Sequence, residues 1–356
     1  MTSLIRNAWY VAAWSTDIDD ELRRFIILNE PVLLFRRSDG GVAALEDRCP
    51  HRLLPLSKGK RIGDAVQCGY HGLTFGADGI CTRVPGQDKI PQSAFVTAYP
   101  IVEQHGIVWI WMGDPERADP ARIFTLPQFT DPRWHAHHGD ALHIESNYLN
   151  VAENLVDPAH VSFVHPTTLG NAASENVPVH VSTEGPAITA WRWIRDAEPI
   201  GFFKAFGDFT GNVDRWHYYH LYAPSIAVID FGSADVADQI AEDDRDAGNR
   251  IFALHFMTPV TENYTIDRWM HLRNTAVETA EASEKIDAMF RIAFAEDKAI
   301  LEAVHQEEQA PPKRRPIRIA IDRGPMVYRK RISEMVERER TDDASAETNG
   351  SFVYHD

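Results

Sequence analysis

Two cysteines and two histidines stand close together in the sequence in a regular arrangement. Cys49 and His51 form a Cys-x-His pair, and after sixteen intervening residues Cys68 and His71 form a Cys-x-x-His pair. One thiolate and one imidazole from each of two turns can hold either a tetrahedral zinc ion or two sulfide-bridged irons. These residues therefore predict a metal centre built from two loops.

The spacing favours iron and sulfide over zinc. Zinc loops usually pair Cys-x-x-Cys with His-x3–5-His, and neither spacing occurs here. In a Rieske-type [2Fe-2S] centre two thiolates hold one iron and two imidazoles hold the other, so each loop must offer one Cys and one His. Pro50, Gly69 and Gly72 would let backbone N–H groups approach the sulfurs. Zinc remains the alternative for this site.

A second group of possible ligands lies in the segment ENLVDPAHVSFVH. His165 follows His160 by five residues, a rotation of about 140° on an ideal helix. Both imidazoles can therefore reach one metal only if the helix ends or bulges between them. Two histidines and a carboxylate on one face would suit a non-haem Fe(II) that activates O2. Asp297, in a late helix, is the candidate carboxylate; Glu296 competes with it, although we expect Glu296 on the solvated face.

The elements that must position these residues fall into two predicted domains. Residues 9–118 contain short β-like runs separated by turn residues, which indicates a small β-rich domain. A proline-rich stretch then predicts an extended connector. We expect a cluster-binding domain at 1–118, a connector at 119–140, a second domain at 141–340 and a flexible tail at 341–356.

The second domain shows both strand and helix patterns. Strand-like runs at 187–231 and 250–275 predict one larger sheet, and residues 278–309 predict a long amphipathic helix, broken once. The fold class expected for the whole chain is α+β.

Composition limits the classes of function. The formal charge of −16 and the lack of a large basic cluster argue against nucleic acid as a partner. No apolar run is long enough to cross a membrane, and three cysteines in a long chain fit a reducing cytoplasm rather than a disulfide framework. We assign Cys81 no role.

The motifs resemble those of one enzyme family. "CPHR…CGYHG" is similar to the cluster motif of Rieske oxygenases and Rieske ferredoxins, and Asn154, Asp157, His160 and His165 match the Asn-x2-Asp-x2-His-x4-His motif of Rieske oxygenase catalytic subunits. The similarity extends from "RNAWYVAAW" to the region of Asp297, and it is strongest to the vanillate and dicamba O-demethylase oxygenases.

The resemblance implies a fold, cofactors and partners. It implies an antiparallel β-sandwich Rieske domain followed by a helix-grip (START-like) catalytic domain with an antiparallel sheet and a long C-terminal helix. It further implies a [2Fe-2S] cluster on the four Cys and His ligands and Fe(II) on His160, His165 and Asp297. The implied assembly is a homotrimer that receives NAD(P)H electrons from a separate flavin/iron–sulfur reductase.

The resemblance also suggests a role for Asp157. In the family a carboxylate at this position joins a Rieske histidine of one subunit to an iron histidine of the next. In this sequence the two histidines would be His71 and His160. The alternative is that Asp157 is a helix cap before Pro158. Leu53-Leu54 and Pro158-Ala159 depart from the residues frequent in the family.

The expected function is O2-dependent oxidation of an aromatic, carboxylated and methoxylated small molecule, by O-demethylation or hydroxylation. Ring dihydroxylation, hydroxylation of a non-aromatic compound and non-catalytic electron transfer remain alternatives. By resemblance His255 faces the substrate. The candidate pocket residues are Trp216, His217, Tyr219, Ile226, Phe231, His255, Trp269 and His271.

Overall fold

The chain folds into two compact units. The structure is a computed structural model that describes residues 4–207, 209–310 and 312–349. One unit comprises Leu4–Phe124 and Thr258–Glu262, and the other comprises Thr125–Met257 and the chain from Asn263 onward. The division after Phe124 falls inside the stretch 119–140 that was expected to connect two domains.

The first unit consists of three small antiparallel sheets. Its strands are β1 (Trp9–Trp14), β2 (Arg23–Ile27), β3 (Glu30–Arg36), β4 (Val42–Glu46), β5 (Lys60–Ile62), β6 (Ala65–Gln67), β7 (Thr74–Phe75), β8 (Cys81–Arg83), β9 (Ile101–Gln104) and β10 (Ile107–Trp111). The strand orders are β1-β10-β9, β2-β3-β4 and β5-β6-β7-β8. Short strands joined by tight turns bring distant loops together, which is what a centre built from two loops requires.

A shared core lies beneath the two loops that carry the Cys and His pairs. Leu33, Phe35 and Phe75 are fully buried there, and Cys49 and Cys68 belong to the same cluster of buried residues. Cys81 is also part of this core, and its thiol lies 3.4 Å from the carbonyl oxygen of Arg83. It therefore packs as a small core residue whose thiol is a weak hydrogen-bond donor.

A seven-stranded antiparallel sheet forms the centre of the second unit. Its strands are β11 (His135–Ile144), β12 (His180–Ser182), β13 (Ala187–Ala197), β14 (Val213–Tyr222), β15 (Ile226–Asp235), β16 (Asn249–Thr261) and β17 (Tyr264–Arg273). They follow the order β11-β17-β16-β15-β14-β13-β12. The single larger sheet predicted from the later strand-like runs is thus confirmed.

Strand β11 corrects the expected extent of the connector. Residues 135–140 were assigned to the connector, yet β11 begins at His135 and pairs with β17. Its polar sequence conceals the strand, because the ladder of backbone hydrogen bonds to β17 does not depend on side-chain type.

Five α-helices complete the described part of the second unit. They are α1 (Tyr148–Asn154), α2 (Val161–Val164), α3 (Gly201–Phe206), α4 (Ala280–Glu308) and α5 (Arg323–Asn349). Helix α4 runs unbroken for 29 residues, so the predicted break is wrong; no Gly or Pro interrupts it. Its buried face carries Ile286, Phe290, Phe294 and Asp297.

Helix α5 corrects the predicted tail. Residues 341–349 were expected to be loose, but α5 continues to Asn349. The segment is rich in Glu, Arg and Ala and contains no Gly or Pro after Pro325 until Gly350, a composition that favours helix even where little can be buried. Residues 350–356, the rest of the predicted tail, lie outside the described residues.

Among the described residues, no helix is both long enough and apolar enough to cross a bilayer.

Candidate metal centres

The two Cys and His pairs lie on neighbouring loops of the first unit. Cys49 and His51 follow β4, and Cys68 and His71 connect β6 to β7. Cys49 and Cys68 are 2% and 3% exposed, whereas both histidines are exposed. The imidazole rings lie 4.5 Å apart, centre to centre. The structure thus brings the four predicted ligands together, with the thiols inside and the imidazoles at the surface.

The two loops have matching backbone hydrogen bonds. The N–H of Cys49 donates to the carbonyl of Leu54 at 2.9 Å, and that of Cys68 donates to the carbonyl of Leu73 at 2.8 Å. The Cys49 carbonyl accepts from Leu53, as the Cys68 carbonyl accepts from Gly72. Each loop is therefore a turn closed by its own backbone hydrogen bonds.

A left-handed residue completes each turn. Gly72 has φ +76° in one loop, and Leu53 has φ +60° at the corresponding position in the other. Glycine adopts this conformation freely, whereas a leucine there is strained. Leu53, which departs from the small residues frequent in the family, thus lies at the position of its loop where the positive φ makes a side chain unfavourable.

The environment of the thiols fits a metal cluster. Burial raises the pKa of the Cys49 thiol to about 11, and the adjacent Cys68 thiol adds to the effect. Two adjacent buried thiols stay protonated on their own and become thiolates when a metal supplies positive charge. Loss of hydration, then repulsion from His51 and Arg52, lowers the pKa of His71 and favours the neutral imidazole that binds metal.

The second pair of histidines brackets one short helix. His160 directly precedes α2, and His165 directly follows it with the non-helical angles φ −118° and ψ 47°. The helix therefore ends between the two rings, as the five-residue spacing predicted. Pro158, which lacks a backbone N–H, lies in the turn between α1 and α2, where a continuous helix would have lost a hydrogen bond.

Asp297 of α4 closes this group. Its Oδ1 lies 3.1 Å from His165 Nε2 and 3.5 Å from His160 Nε2, and one ligand atom from each residue falls within 4.8 Å of the others. Bonds of about 2 Å to a metal place neighbouring ligand atoms about 3 Å apart. The spacing of these three residues therefore fits a single metal ion.

Electrostatics keep Asp297 ionised. Burial by itself would raise the pKa of Asp297, but the hydrogen bond from His165, the charges of the two histidines and an amide hydrogen bond from Asn154 outweigh it, so the pKa is lowered. Asn154 Nδ2 donates to the same Oδ1 at 3.0 Å. Asn154 therefore orients the carboxylate.

Glu296, expected on the solvated face, is partly buried and contacts an iron-ligand candidate. Its Oε2 lies 2.8 Å from Nδ1 of His165, on the side of the ring opposite Asp297. A metal-binding histidine commonly donates its second N–H to a carboxylate, which fixes the ring and its tautomer. Glu296 can therefore orient His165 while Asp297 offers the ligand atom.

The expected hydrogen bond between Asp157 and His160 is not formed. Nδ1 of His160 is buried and has no hydrogen-bond partner among the described residues. Asp157 Oδ1 instead accepts from the backbone N–H of Ala159 at 2.8 Å, because the Asp-Pro turn uses the carboxylate as a local cap. Burial raises the pKa of Asp157.

A cavity borders the three-residue group. Its water-accessible volume is about 30 Å3, below the range of small-molecule pockets, so an aromatic ligand would need the side chains of the wall to move apart. Its wall is mainly apolar and aromatic and is built from α4, the α1–α2 segment and alternate residues of three strands. The strands contribute His217 and Tyr219, Ile229 and Phe231, and Ala253 and His255.

Four expected pocket residues do not lie on this wall. Trp216 and Ile226 fall on the opposite face of their strands, because side chains alternate along a strand; Trp216 packs over Gly232 and donates to Asp230. Trp269 stacks over Gly139 and lies behind Phe290 and Phe294. His271 lies instead in a separate buried group with Arg273 and Asp287.

His255 lies on the cavity wall with an ion-pair partner that sequence reasoning missed. Its Nδ1 is 2.7 Å from Oδ2 of Asp267 on the adjacent strand, and its Nε2 is buried without a hydrogen-bond partner among the described residues. An Asp twelve positions later carries no local sequence signal. Only the pairing of β16 with β17 brings it beside the histidine.

Comparisons with known protein families match both units. Residues 8–100 match the Rieske [2Fe-2S] domain, and residues 144–338 match the vanillate O-demethylase oxygenase C-terminal domain. These matches contain the four Cys and His ligands of the first loops and the group around Asp297.

Curated proteins and solved structures are similar over almost the whole length. The iron–sulfur subunit of the toluene-4-sulfonate monooxygenase system of Comamonas testosteroni is 39% identical, covering 90% of this chain and 93% of its own. A vanillate O-demethylase oxygenase subunit of a Pseudomonas species is 32% identical, covering 94% and 96%. The crystal structure of dicamba monooxygenase bound to dicamba has a TM-score of 0.83 at 28% identity, covering 96% of this chain and 100% of its own.

Proposed function

Because the chain belongs to the Rieske oxygenases that carry a vanillate O-demethylase-type C-terminal domain, we propose that it oxidises a methyl or methoxy group of a small aromatic anion. It is an oxygenase component of a multicomponent monooxygenase system with a separate reductase. Its cofactors are a Rieske [2Fe-2S] cluster and a mononuclear non-haem iron, with O2 as co-substrate and electrons from NAD(P)H.

We assign each cofactor to its residues. Cys49, His51, Cys68 and His71 hold the cluster, since their loops present two buried thiols and two exposed imidazoles. His160, His165 and Asp297 hold the iron. When bound, the iron activates O2 for insertion of one oxygen atom into a substrate C–H bond.

The protein residues around the iron site bind and orient. Asn154 and Glu296 hold the Asp297 and His165 ligands by hydrogen bonds of 3.0 and 2.8 Å. Phe290 and Phe294 stack at 5.1 Å along the cavity and offer an apolar surface to an aromatic ring. A substrate fixed there would keep its oxidisable carbon beside the iron and exclude water.

The cavity at the iron ligands is the observation that carries this proposal. The names of two relatives fit its chemistry: vanillate is a methoxylated benzoate, and toluene-4-sulfonate is a methylated benzenesulfonate. Each joins an apolar ring to one anionic group. If the oxidised carbon is a methoxy carbon, the resulting hemiacetal collapses to a phenol and formaldehyde; if it is a methyl carbon, the product is an alcohol.

We extend the proposal to the assembly. The active form is a homotrimer in which Asp157 links His71 of one subunit to His160 of the next and provides the electron route between them. The charges of Asp157 and His160 interact within one chain, which supports this role. Loss of the electron route, with both metal sites still filled, is the expected effect of Asp157→Asn.

Metal content and product analysis test the proposal. Fully loaded wild type should contain about three irons and two acid-labile sulfides per chain, and the double variant His160→Ala/His165→Ala should keep the reduced-cluster EPR signal with about two irons. With a reductase, the wild type should convert vanillate or toluene-4-sulfonate in an O2-dependent reaction. Two irons per chain in both proteins would refute the assignment of the iron site, and no product from either compound would refute the substrate class.

A further inference from the structure

We propose that Arg192 is a positioning residue of the iron site, because it fixes the short segment that carries His160 and His165. This inference rests on the proposed function, since it concerns the iron site that the function requires. Arg192 lies on β13 and is 1% exposed. Its guanidinium has no acceptor atom to offer a metal, so it acts through the backbone that it binds.

The guanidinium contacts both sides of helix α2. Its Nη2 donates to the carbonyl of Pro158 at 2.5 Å, in the turn before the helix, and its Nη1 donates to the carbonyl of Ser174 at 2.7 Å, in the chain after it. The guanidinium is a rigid plane with N–H groups in fixed directions. One side chain therefore holds the beginning and the end of the stretch 158–174 at a set separation.

Further hydrogen bonds close this stretch on itself. The hydroxyl of Ser162, on α2, lies 2.7 Å from the hydroxyl of Ser174. The N–H of Gly170 donates to the carbonyl of His165 at 2.9 Å, so the chain turns back directly after this histidine. The stretch is thus a compact loop, and Arg192 binds it to the central sheet at two points.

Helix α2 depends on such contacts for its position. It has four residues, whereas isolated helices shorter than about 12 residues are marginal in water. The ring of His165 is oriented by Glu296, but Nδ1 of His160 has no hydrogen-bond partner among the described residues. The placement of His160 therefore depends on the backbone beside it, and Arg192 holds that backbone at Pro158.

The environment of Arg192 supports a role beyond packing. In the described part of the chain its hydrogen bonds go to backbone carbonyls, its Nε has no partner, and burial lowers its pKa. Burying a cation without a hydrogen-bonded carboxylate is unfavourable, and an apolar side chain of similar volume is often no less stable. An apolar residue at this position, however, would release both carbonyls and the loop that they hold.

The test measures iron binding rather than turnover. Anaerobic titration against a competing chelator gives the dissociation constant for Fe(II) of protein whose cluster is intact by EPR. The EPR spectrum after addition of nitric oxide reports the geometry around the Fe(II). Arg192→Met removes the charge and both hydrogen bonds, whereas Arg192→Lys keeps the charge but cannot place one nitrogen at both Nη positions.

Two controls separate the contact from the charge. Arg215→Met removes another fully buried arginine, on the neighbouring strand, whose Nη2 donates to Asn171 and not to Pro158. Arg195→Met changes a partly exposed arginine of the same strand, which pairs with Asp214 at 2.8 Å.

Arg192→Met should raise the dissociation constant for Fe(II) on the order of 10- to 100-fold, the loss typical when a residue that orients metal ligands is removed. It should also change the spectrum of the nitric oxide adduct. Arg192→Lys should lie between Arg192→Met and wild type in both measurements. Arg215→Met and Arg195→Met should bind iron as wild type does, with the same spectrum.

A purely structural Arg192 would lower the melting temperature and leave both iron measurements of the folded variants at their wild-type values, which would overturn the inference. Equal weakening of iron binding in Arg192→Met and Arg215→Met would also overturn it, because loss of buried charge would then explain the effect. If Arg192→Met does not fold, Arg192→Lys decides. If neither folds, Arg192 supports the whole unit rather than the iron site, and the inference is wrong.

Failure of the proposed function gives a different result. A fully loaded wild type without the mononuclear iron would refute the proposed function, and this inference with it. A wild type that binds the iron, with Arg192 variants that bind it equally well, would refute the inference alone.

Discussion

Removal of the Glu296 carboxylate should weaken iron binding without abolishing it. Glu296 accepts from His165 at 2.8 Å, on the ring nitrogen that does not face Asp297. Glu296→Ala removes one of the two groups that orient the ring and leaves its Nδ1 without this partner, whereas Glu296→Gln keeps a neutral acceptor. The first variant should therefore have the larger effect.

The magnitude follows from the exposure of the side chain. Hydrogen bonds to charged groups contribute about 1.5–3 kcal/mol, and Glu296 is about one-third exposed, at 32%, so solvent screening favours the lower end. A loss of about 1.5 kcal/mol corresponds to a roughly tenfold larger dissociation constant for Fe(II). This agrees with the 10- to 100-fold loss of metal affinity that is typical when a residue orienting a metal ligand is removed. Glu296→Gln should fall between this variant and wild type.

Anaerobic titration of Fe(II) against a competing chelator, on protein whose cluster is intact by EPR, measures the effect. Glu307→Gln, an exposed glutamate on the same helix, is the control and should bind as wild type does. Asp297→Ala should lose binding altogether. The reasoning fails if Glu296→Ala binds iron within twofold of the control, or if it loses binding as completely as Asp297→Ala, which would make Glu296 the ligand.

Three further changes probe backbone strain, buried charge and strand sidedness. Leu53→Gly should relieve the left-handed backbone strain at φ +60° and stabilise the protein by about 0.5 kcal/mol, which a higher melting temperature would show. Leu54→Gly removes a partly buried side chain and should lower the melting temperature. A shift of the melting temperature in the same direction for both variants would contradict the strain at Leu53. Arg215→Met should raise the free energy of unfolding by about 1–3 kcal/mol in denaturant titrations. The reason is that burial lowers the pKa of this arginine to about 10 and leaves its Nε and Nη1 without partners in the described structure. A lower free energy of unfolding would show instead that the charge of Arg215 is compensated. Trp216→Phe should lower the free energy of unfolding by about 1–2 kcal/mol and leave KM unchanged, whereas Phe231→Leu should alter KM. A changed KM in Trp216→Phe would place the Trp216 side chain in the pocket.

The types and spacing of the ligands could be predicted from sequence because metal binding needs donor atoms from short, local segments. Cys49 and His51, like Cys68 and His71, are supplied by single turns, and the pair His160 and His165 frames one turn of helix. The strand-like runs and the helical periodicity likewise predicted one larger sheet and most of α4. These features depend on near neighbours in the chain, so one sequence contains them.

The remaining assignments depended on contacts between distant segments. Adjacent residues of a helix point about 100° apart, so only packing against α2 decided that Asp297 meets both histidines while Glu296 reaches the far side of one ring. Strand register decided that His217 faces the cavity and Trp216 does not. The pairing of β16 with β17 likewise set Asp267 against His255. Local propensity is silent on such choices, because the free energy that decides them comes from burial between segments far apart in the chain.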